Sequence, residues 1–92
     1  WLEVHEISAS DVGQVIRLRG VLGKLTGFSQ GVKVPLDDGT GTITVLFWSS
    51  LWESLSPTPE ADMMAEVIGQ ISVYQNRIEI IPRSPADWHP TP

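Results

Sequence analysis

The sequence predicts an all-β domain, a small barrel of five strands that is closed or partly open, with one short helix between the third and fourth strands. Three observations support this fold class. Several short runs alternate apolar and polar residues, which is the period of a strand that buries one face. Turn-forming Gly, Asp, Asn and Pro residues separate these runs. A length of 92 residues, 41% of them apolar and 18% charged, suits one folded domain around one core.

The first predicted strand is the run VIRLRGVLGKL at positions 15–25. Alternate residues from Ile16 to Leu22 share its inward face. Gly20 lies on that face, where a glycine normally weakens a strand, so we expect a bend or bulge that lets a small sheet curl and close. The pattern of LRGVL recurs as VIGQI around Gly69, which predicts a second bend in a later strand.

The second and third predicted strands form a hairpin, which follows a loop rich in Gly and Ser at 26–31. They cover positions 32–36 and 43–48. Asp38 and Gly39 between them are a strong turn signal, because both residues tolerate left-handed backbone. The inward residues of this hairpin are valine, leucine, isoleucine and phenylalanine. Its outward residues are Lys33, Pro35, Thr44, Leu46 and Trp48.

After the hairpin the apolar period changes from that of a strand to that of a helix. Ser50 and Glu53 predict a capping box at the start of a short helix. Leu51, Trp52 and Leu55 can share one side of this helix, and we expect that side to close one end of the barrel. The prolines that follow end the helix.

The last two predicted strands cover positions 63–74 and 77–82. Both are rich in apolar and β-branched residues, and the second stops at a proline, which cannot donate to a strand ladder. Gln75 and Asn76 join the two strands in a tight turn.

The barrel therefore occupies residues 14–82 of the chain. Residues 1–13 form an N-terminal flank, and residues 83–92 form a Pro-rich C-terminal tail that we interpret as a linker or an extended strap. Trp1 and Trp88 lie in these flanks, and we expect each to pack either against the barrel or against a neighbouring domain. We interpret the chain as a domain of a longer protein.

Basic side chains are concentrated in one segment of an acidic chain. The formal net charge of −5 argues against tight, sequence-independent phosphate binding by the whole surface. Positions 14–36 hold four basic residues and no Asp or Glu, whereas the rest of the chain has two basic and eleven acidic side chains. This segregation predicts a local positive field for an anionic ligand, and the alternative is charge gathered by chance on solvated strands. The four residues are Arg17, Arg19, Lys24 and Lys33.

The residue types that catalysis needs are sparse. The chain has no Cys, which rules out disulfides, thiolate metal ligands and thiol nucleophiles. His5 and His89 lack the spacing of metal ligands or of a nucleophile and its base. Asp37 and Asp38 lack the alternating oxygen ligands of a calcium loop, and a turn explains them. We therefore predict a domain that is not an enzyme, without catalytic residues, a metal site or a cofactor.

Three segments of the chain resemble a known family. They are VIRLRGVL, FSQGVKVPLDDGTGTITVLFW and EVIGQISVYQNRIEIIP, which together span roughly residues 14–82. An Asp-Asp-Gly-Thr-Gly turn leads into an apolar strand, and a Gly-centred strand and a Tyr-containing turn follow. This order resembles the oligonucleotide/oligosaccharide-binding (OB) fold, specifically the nucleic-acid-binding OB domains of the anticodon-binding and replication protein A type. Members of this class bind single-stranded nucleic acid across the second and third barrel strands, and two loops close over it.

The resemblance implies a set of nucleic-acid-binding residues. Its aromatic members would stack on bases, each worth about 1–3 kcal/mol, and its basic members would contact phosphates. Alternatively, the loop aromatic tucks under its loop and the strand-end aromatic covers an end of the barrel. The implied residues are Arg19, Lys24, Phe28, Lys33, Thr44, Trp48, Tyr74, Asn76 and Arg77.

The sequence leaves two functions open. The first is a module that binds single-stranded DNA or RNA weakly, has the other domains of its own chain as partners, and is cytoplasmic. The second is an extracellular or periplasmic tandem OB module that serves as a structural spacer or binds a protein or a sugar. Three features favour this second function: the acidic net charge, the absence of Cys and the tail rich in Pro and Thr. No apolar run is long enough to span a bilayer, so we expect no membrane partner in either case.

Overall fold

The computed structural model describes residues 3–91 of the chain, so Trp1 lies outside the described residues. Residues 3–91 contain one short helix, α1 (Ser49–Trp52), and three 3-10 helical turns at Val4–Glu6, Ala9–Asp11 and Pro85–Asp87. The strands in the same part of the chain are β1 (Val15–Leu22), β2 (Thr26–Phe28), β3 (Gly31–Asp37), β4 (Thr42–Trp48), β5 (Met64–Tyr74), β6 (Arg77–Ile81) and β7 (Trp88–Pro90).

Five of these strands close into a ring. β1 pairs antiparallel with β3 on one side and with β5 on the other. β3 continues to β4, and β5 continues to β6, again antiparallel. The parallel pairing of Thr44 and Val45 on β4 with Glu79 and Ile80 on β6 closes the ring. This five-stranded barrel, with α1 between its third and fourth strands, confirms the predicted fold class.

The core lies inside the ring and consists of alternate residues of each strand. Exposed and buried residues alternate strictly along β1, and the residues from Ile16 to Leu22 that the sequence predicts to be inward are the buried ones. Val34, Val45 and Phe47 continue this core on β3 and β4. Burying each such side chain stabilises the fold by about 1.5–3 kcal/mol relative to leaving it in water.

Aromatic residues close one end of the barrel. The ring of Phe47 lies 5.6 Å from that of Trp52 in α1 and 6.0 Å from that of Trp88 in β7, measured between centroids. The indole N–H of Trp88 donates a hydrogen bond to the carbonyl oxygen of Pro57 at 2.8 Å. The indole is therefore buried with its polar group satisfied. We call Phe47, Trp52 and Trp88 the aromatic plug.

Gly20 and Gly69 lie where a neighbouring strand comes very close. A Cβ atom on Gly20 would lie 2.5 Å from the carbonyl oxygen of Asp37, and one on Gly69 would lie 2.7 Å from the carbonyl carbon of Ile81. Side chains do not fit at such distances. The sequence predicts a bend at both positions, and the structure shows that glycine is required there for close backbone approach.

Two local features differ from the sequence-based expectation. Part of the expected loop at 26–31 is strand β2, which forms a further antiparallel hairpin with the start of β3. The predicted capping box of Ser50 and Glu53 is wrong, because α1 begins at Ser49 and has no side-chain cap. The backbone N–H of Ser49 instead donates a hydrogen bond to the carbonyl oxygen of Gln30 at 2.9 Å. The turn between β2 and β3 therefore fixes the start of the helix.

The C-terminal tail packs on the barrel. β7 pairs with residues 65–67 of β5 through three positions in antiparallel register. Trp88 is 4% exposed because it fills the aromatic plug. Residues 88–90 thus add a short strand to the sheet.

The turn between β3 and β4 also holds the N-terminal flank. Asp38 accepts hydrogen bonds from the backbone N–H of Val4 at 2.8 Å and from the backbone N–H and the hydroxyl of Thr40 at 2.9 and 2.6 Å. Burial acts to raise the pKa of Asp38, but the hydrogen bonds outweigh it and lower the pKa to about 2. The sequence predicts only a turn at Asp38, so the contact of Asp38 with the flank is an additional role.

Candidate nucleic-acid interface

The outer face of the barrel carries a groove that three aromatic side chains border. Phe28, Trp48 and Tyr74 are 38%, 42% and 57% exposed. The groove has a volume of ≈ 340 Å³. We call it the aromatic groove, and the residues that define it are Phe28, Lys33, Leu46, Trp48, Tyr74 and Glu79.

Strand alternation places Trp48 on the groove. Phe47, one residue earlier, points inward and is fully buried, so Trp48 points outward. Trp48 lies in register with Gly31 of β3, where a Cβ atom would collide with the carbonyl oxygen of Phe47. The sequence left open whether Trp48 faces a ligand surface or covers the end of the barrel, and the structure places it on the groove.

The short strand β2 brings Phe28 to the same face. Phe28 pairs with Gly31 across the β2–β3 hairpin. Its ring meets that of Trp48 edge-on, with centroids 6.3 Å apart and planes at 61°. This is a favoured geometry for aromatic pairs. The contact orders both rings while more than a third of each side chain stays exposed.

A tight turn presents Tyr74 at the other border of the groove. Gln75 and Asn76 have φ angles of 51° and 65°. Two successive positive φ angles are typical of a two-residue type I′ hairpin, and they confirm the tight turn that the sequence predicts. Tyr74 ends β5 opposite Arg77 at the start of β6.

Lys33 stands at the centre of the groove. Its Nζ lies 5.5 Å from the ring centroid of Phe28 and 5.4 Å from that of Tyr74, within cation–π range of both. The same Nζ lies 3.3 Å from Oε2 of Glu79, whose side chain is only 5% exposed. Among residues 3–91, Glu79 is the one charged residue that is buried. A cation and a carboxylate therefore lie side by side on the groove floor.

Glu79 is not among the site residues predicted from the sequence. It alternates with Ile78 and Ile80, so the period of two already placed a lone carboxylate on an outward position. The pairing of β6 with β4, which sets Glu79 beside Thr44, was not visible in the sequence. Leu46 points outward as predicted, yet it is only 4% exposed because the side chains around the groove cover it.

Three further predicted residues extend the same surface. Thr44 and Arg77 line a smaller depression that also includes Lys33 and Tyr74. Asn76 lies just beyond, in a depression that it shares with Thr44 and Arg77. The structure thus places seven of the nine predicted residues on one continuous face. They are Phe28, Lys33, Thr44, Trp48, Tyr74, Asn76 and Arg77.

Arg19 and Lys24 lie away from this face. Arg19 lines a separate concavity of ≈ 780 Å³ together with Asp37, Asp38 and Met64. That concavity is larger than the aromatic groove, but no aromatic residue lines it and two carboxylates share it with the arginine. Lys24 is exposed in the connection between β1 and β2, outside the lining of the groove.

The basic segment of the sequence does not form one patch. The two arginines of β1 lie on strand positions paired with β5, where Arg19 is opposite Glu66. Lys33 is on the groove face, where Glu79 offsets its charge. The separation of these residues weakens the local positive field that the sequence predicts.

One group of possible metal ligands occurs in the N-terminal flank. Donor atoms of Glu3, His5 and Glu6 lie within 4.8 Å of one another. All three residues are exposed, and His5 Nε2 lies 3.6 Å from a Glu3 carboxylate oxygen. Exposed acidic groups of this kind are common, so this cluster does not support a metal site.

The chain matches a protein family over residues 12–84. The family is the tRNA anti-codon family, described as an OB-fold nucleic acid binding domain. This chain belongs to that family, because the match covers most of its length. Membership confirms the resemblance to OB domains and assigns the domain to the nucleic-acid-binding class, which does not favour the spacer alternative. No sequence among curated proteins matches the chain.

Two solved structures are similar to this chain in fold. One is a replication protein A heterotrimer bound to single-stranded DNA, with 21% identity and a TM-score of 0.69 over 88% of this chain and 59% of that chain. Another is the S. pombe Stn1-Ten1 complex, with 18% identity and a TM-score of 0.72 over 84% of this chain and 57% of that chain. This chain therefore spans less than two thirds of either of those chains.

The family description is that of a binding domain rather than an enzyme. Within residues 3–91, no helix has both the length and the apolar character needed to cross a bilayer.

Proposed function

We propose that this domain binds single-stranded nucleic acid in the aromatic groove by stacking unpaired bases on its rings. The observation that carries the proposal is the convergence of Phe28, Trp48 and Tyr74 around one groove. Family membership supports a nucleic-acid ligand. Exposed rings favour a single strand, because the bases of a duplex already stack on each other.

The domain binds weakly by itself and works as a binding module of a larger chain, without catalytic activity of its own. Phosphate contacts normally supply much of the affinity for nucleic acid. The net charge of −5, and the pairing of the Lys33 charge with Glu79, therefore support weak binding. The two similar solved chains are longer than this one, which supports a larger assembly of domains. Tethered binding domains raise overall affinity through effective concentration.

Fluorescence anisotropy of a labelled thymidine oligonucleotide, titrated with the domain, tests the proposal. We expect saturable binding of the single strand and much weaker binding of a duplex of equal length. A variant with Phe28→Ala, Trp48→Ala and Tyr74→Ala should lose the binding while far-UV circular dichroism stays unchanged. The matched control is Val12→Ala with Val15→Ala, exposed apolar residues outside the groove. Equal affinity for duplex and single strand, or full binding by the triple variant, contradicts the proposal.

A further inference from the structure

The ion pair of Lys33 and Glu79 limits what the groove floor can bind. The Glu79 carboxylate is 5% exposed and has the Lys33 ammonium 3.3 Å away. Leaving a buried charge without its partner is unfavourable. A phosphate that drew Lys33 away from Glu79 would have to offset that cost.

The position of Glu79 adds repulsion to this cost. A phosphate that approached Lys33 on the groove floor would also approach the carboxylate beside it. Like charges repel more strongly in a partly dehydrated groove than in bulk water. The floor therefore disfavours the backbone of a nucleic acid, although it contains a lysine.

A base suits the same floor. The ammonium of Lys33 donates hydrogen bonds, and the carboxylate of Glu79 accepts them. The edges of nucleic-acid bases carry acceptors next to amino or imino donors. A base edge can thus contact both groups without separating the pair. The rings of Phe28 and Tyr74 both lie within about 6 Å of the Lys33 ammonium, and an aromatic ring bordering the floor can stack on that base.

We propose that Glu79 is a positioning residue that keeps Lys33 on the groove floor for base recognition and excludes phosphate from it. The single strand then binds with its bases directed into the groove and its backbone along the rim. This inference rests on the proposed function and specifies how the ligand lies in that same site. It replaces the sequence-based expectation that Lys33 contacts a phosphate.

Salt dependence distinguishes the two roles of Lys33. For a single strand, each phosphate contact changes the slope of log affinity against log salt concentration by about −0.7. Glu79→Gln removes the carboxylate charge and frees Lys33 for a phosphate. We expect the slope for the thymidine oligonucleotide to become steeper by about 0.7. The control Glu60→Gln removes the same charge at an exposed position outside the groove, and should leave the slope unchanged.

A double variant tests whether this change acts through Lys33. Adding Lys33→Met to Glu79→Gln keeps a long side chain but removes the ammonium. We expect the slope to return to the wild-type value. A slope that stays steep in the double variant would assign the new phosphate contact to another residue and overturn the proposal.

An abasic oligonucleotide provides a test on the wild-type protein that does not depend on folding of any variant. If bases enter the groove, the thymidine oligonucleotide should bind about 5- to 150-fold more tightly than an abasic strand of equal length. Equal slopes for Glu79→Gln and Glu60→Gln overturn the inference alone, whereas equal affinity for the two strands contradicts the base stacking on which it rests. Failure of every oligonucleotide to bind refutes the proposed function itself, so the two failures are distinguishable.

Discussion

The aromatic plug and the aromatic groove use the same kinds of side chain in opposite ways. Phe47 and Trp48 are neighbours in sequence, yet Phe47 is 0% exposed and Trp48 is 42% exposed. In the plug, Phe47 packs against two tryptophans, and the Trp88 N–H is bonded to a carbonyl. In the groove, the rings of Phe28 and Trp48 pack in an edge-on arrangement and remain exposed to solvent.

This difference shows that aromatic content alone does not identify a binding site. Burial of Phe47 and Trp88 in the plug stabilises the fold through the hydrophobic effect. Incomplete burial in the groove leaves part of the hydrophobic free energy for a ligand. The side of the sheet to which a ring points therefore decides whether it stabilises the fold or stays accessible to a ligand.

The largest expected effect comes from breaking the plug. Phe47→Ala should lower the free energy of unfolding by about 3–5 kcal/mol, because it leaves a cavity among Trp52, Trp88 and the core. Trp48→Ala, one residue later, should change it by about 0.5 kcal/mol, as expected for an exposed position. Urea denaturation followed by circular dichroism measures both. Similar losses for the two variants would refute the division between plug and groove.

A smaller loss is expected where the barrel wall allows no side chain. Gly69→Ala should cost about 1–3 kcal/mol, because its Cβ would meet the backbone of Ile81 and force a strand to move. Gly27→Ala is the matched change in β2, where nothing lies within 4 Å of the added Cβ. It should change stability by about 0.5 kcal/mol. Thermal denaturation of both variants checks this contrast, which fails if Gly69→Ala is as stable as wild type.

On the groove side, the expected loss is in binding rather than in stability. Tyr74→Ala should weaken single-strand binding by about 1–3 kcal/mol through the lost stacking face. Tyr74→Phe keeps the ring and should keep most of the affinity. Anisotropy titrations of the two variants separate stacking from hydrogen bonding by the hydroxyl. A loss of equal size in Tyr74→Phe would point to the hydroxyl instead of the ring.

The smallest effect concerns the turn that holds the N-terminal flank. The pKa of Asp38 in the folded state is about 2, below the ordinary value of 3.8, so its ionised form stabilises the fold. That contribution is complete above the unfolded-state pKa and is lost as the pH falls through the folded-state pKa. Between pH 5 and pH 2, wild type should lose about 1 kcal/mol more stability than Asp38→Asn. Urea denaturation of both proteins at each pH measures this difference. An equal loss of stability in wild type and Asp38→Asn would contradict this linkage.

Much of the fold could be predicted from the sequence, because strand alternation and turns are local properties. The period of two assigned inward and outward residues of β1, β3 and β4 correctly, and Asp38-Gly39 and Gln75-Asn76 marked two hairpins. The start of α1 was predicted wrongly. A hydrogen bond from Ser49 to Gln30, in the turn between β2 and β3, fixes it, and no local side-chain cap does. The nucleic-acid roles of the predicted site residues stay predictions until they are measured.

The sequence by itself determined which side chains leave the sheet on each face, because the pleat of a strand sends successive residues to opposite sides. It thereby placed Lys33, Trp48 and Glu79 on outward positions. Only the tertiary structure decided which outward residues meet. Closure of the ring through β4 and β6 joined Lys33 to Glu79, and it separated Arg19 from both. Such partnerships depend on strands far apart in the chain, and no local pattern contains them.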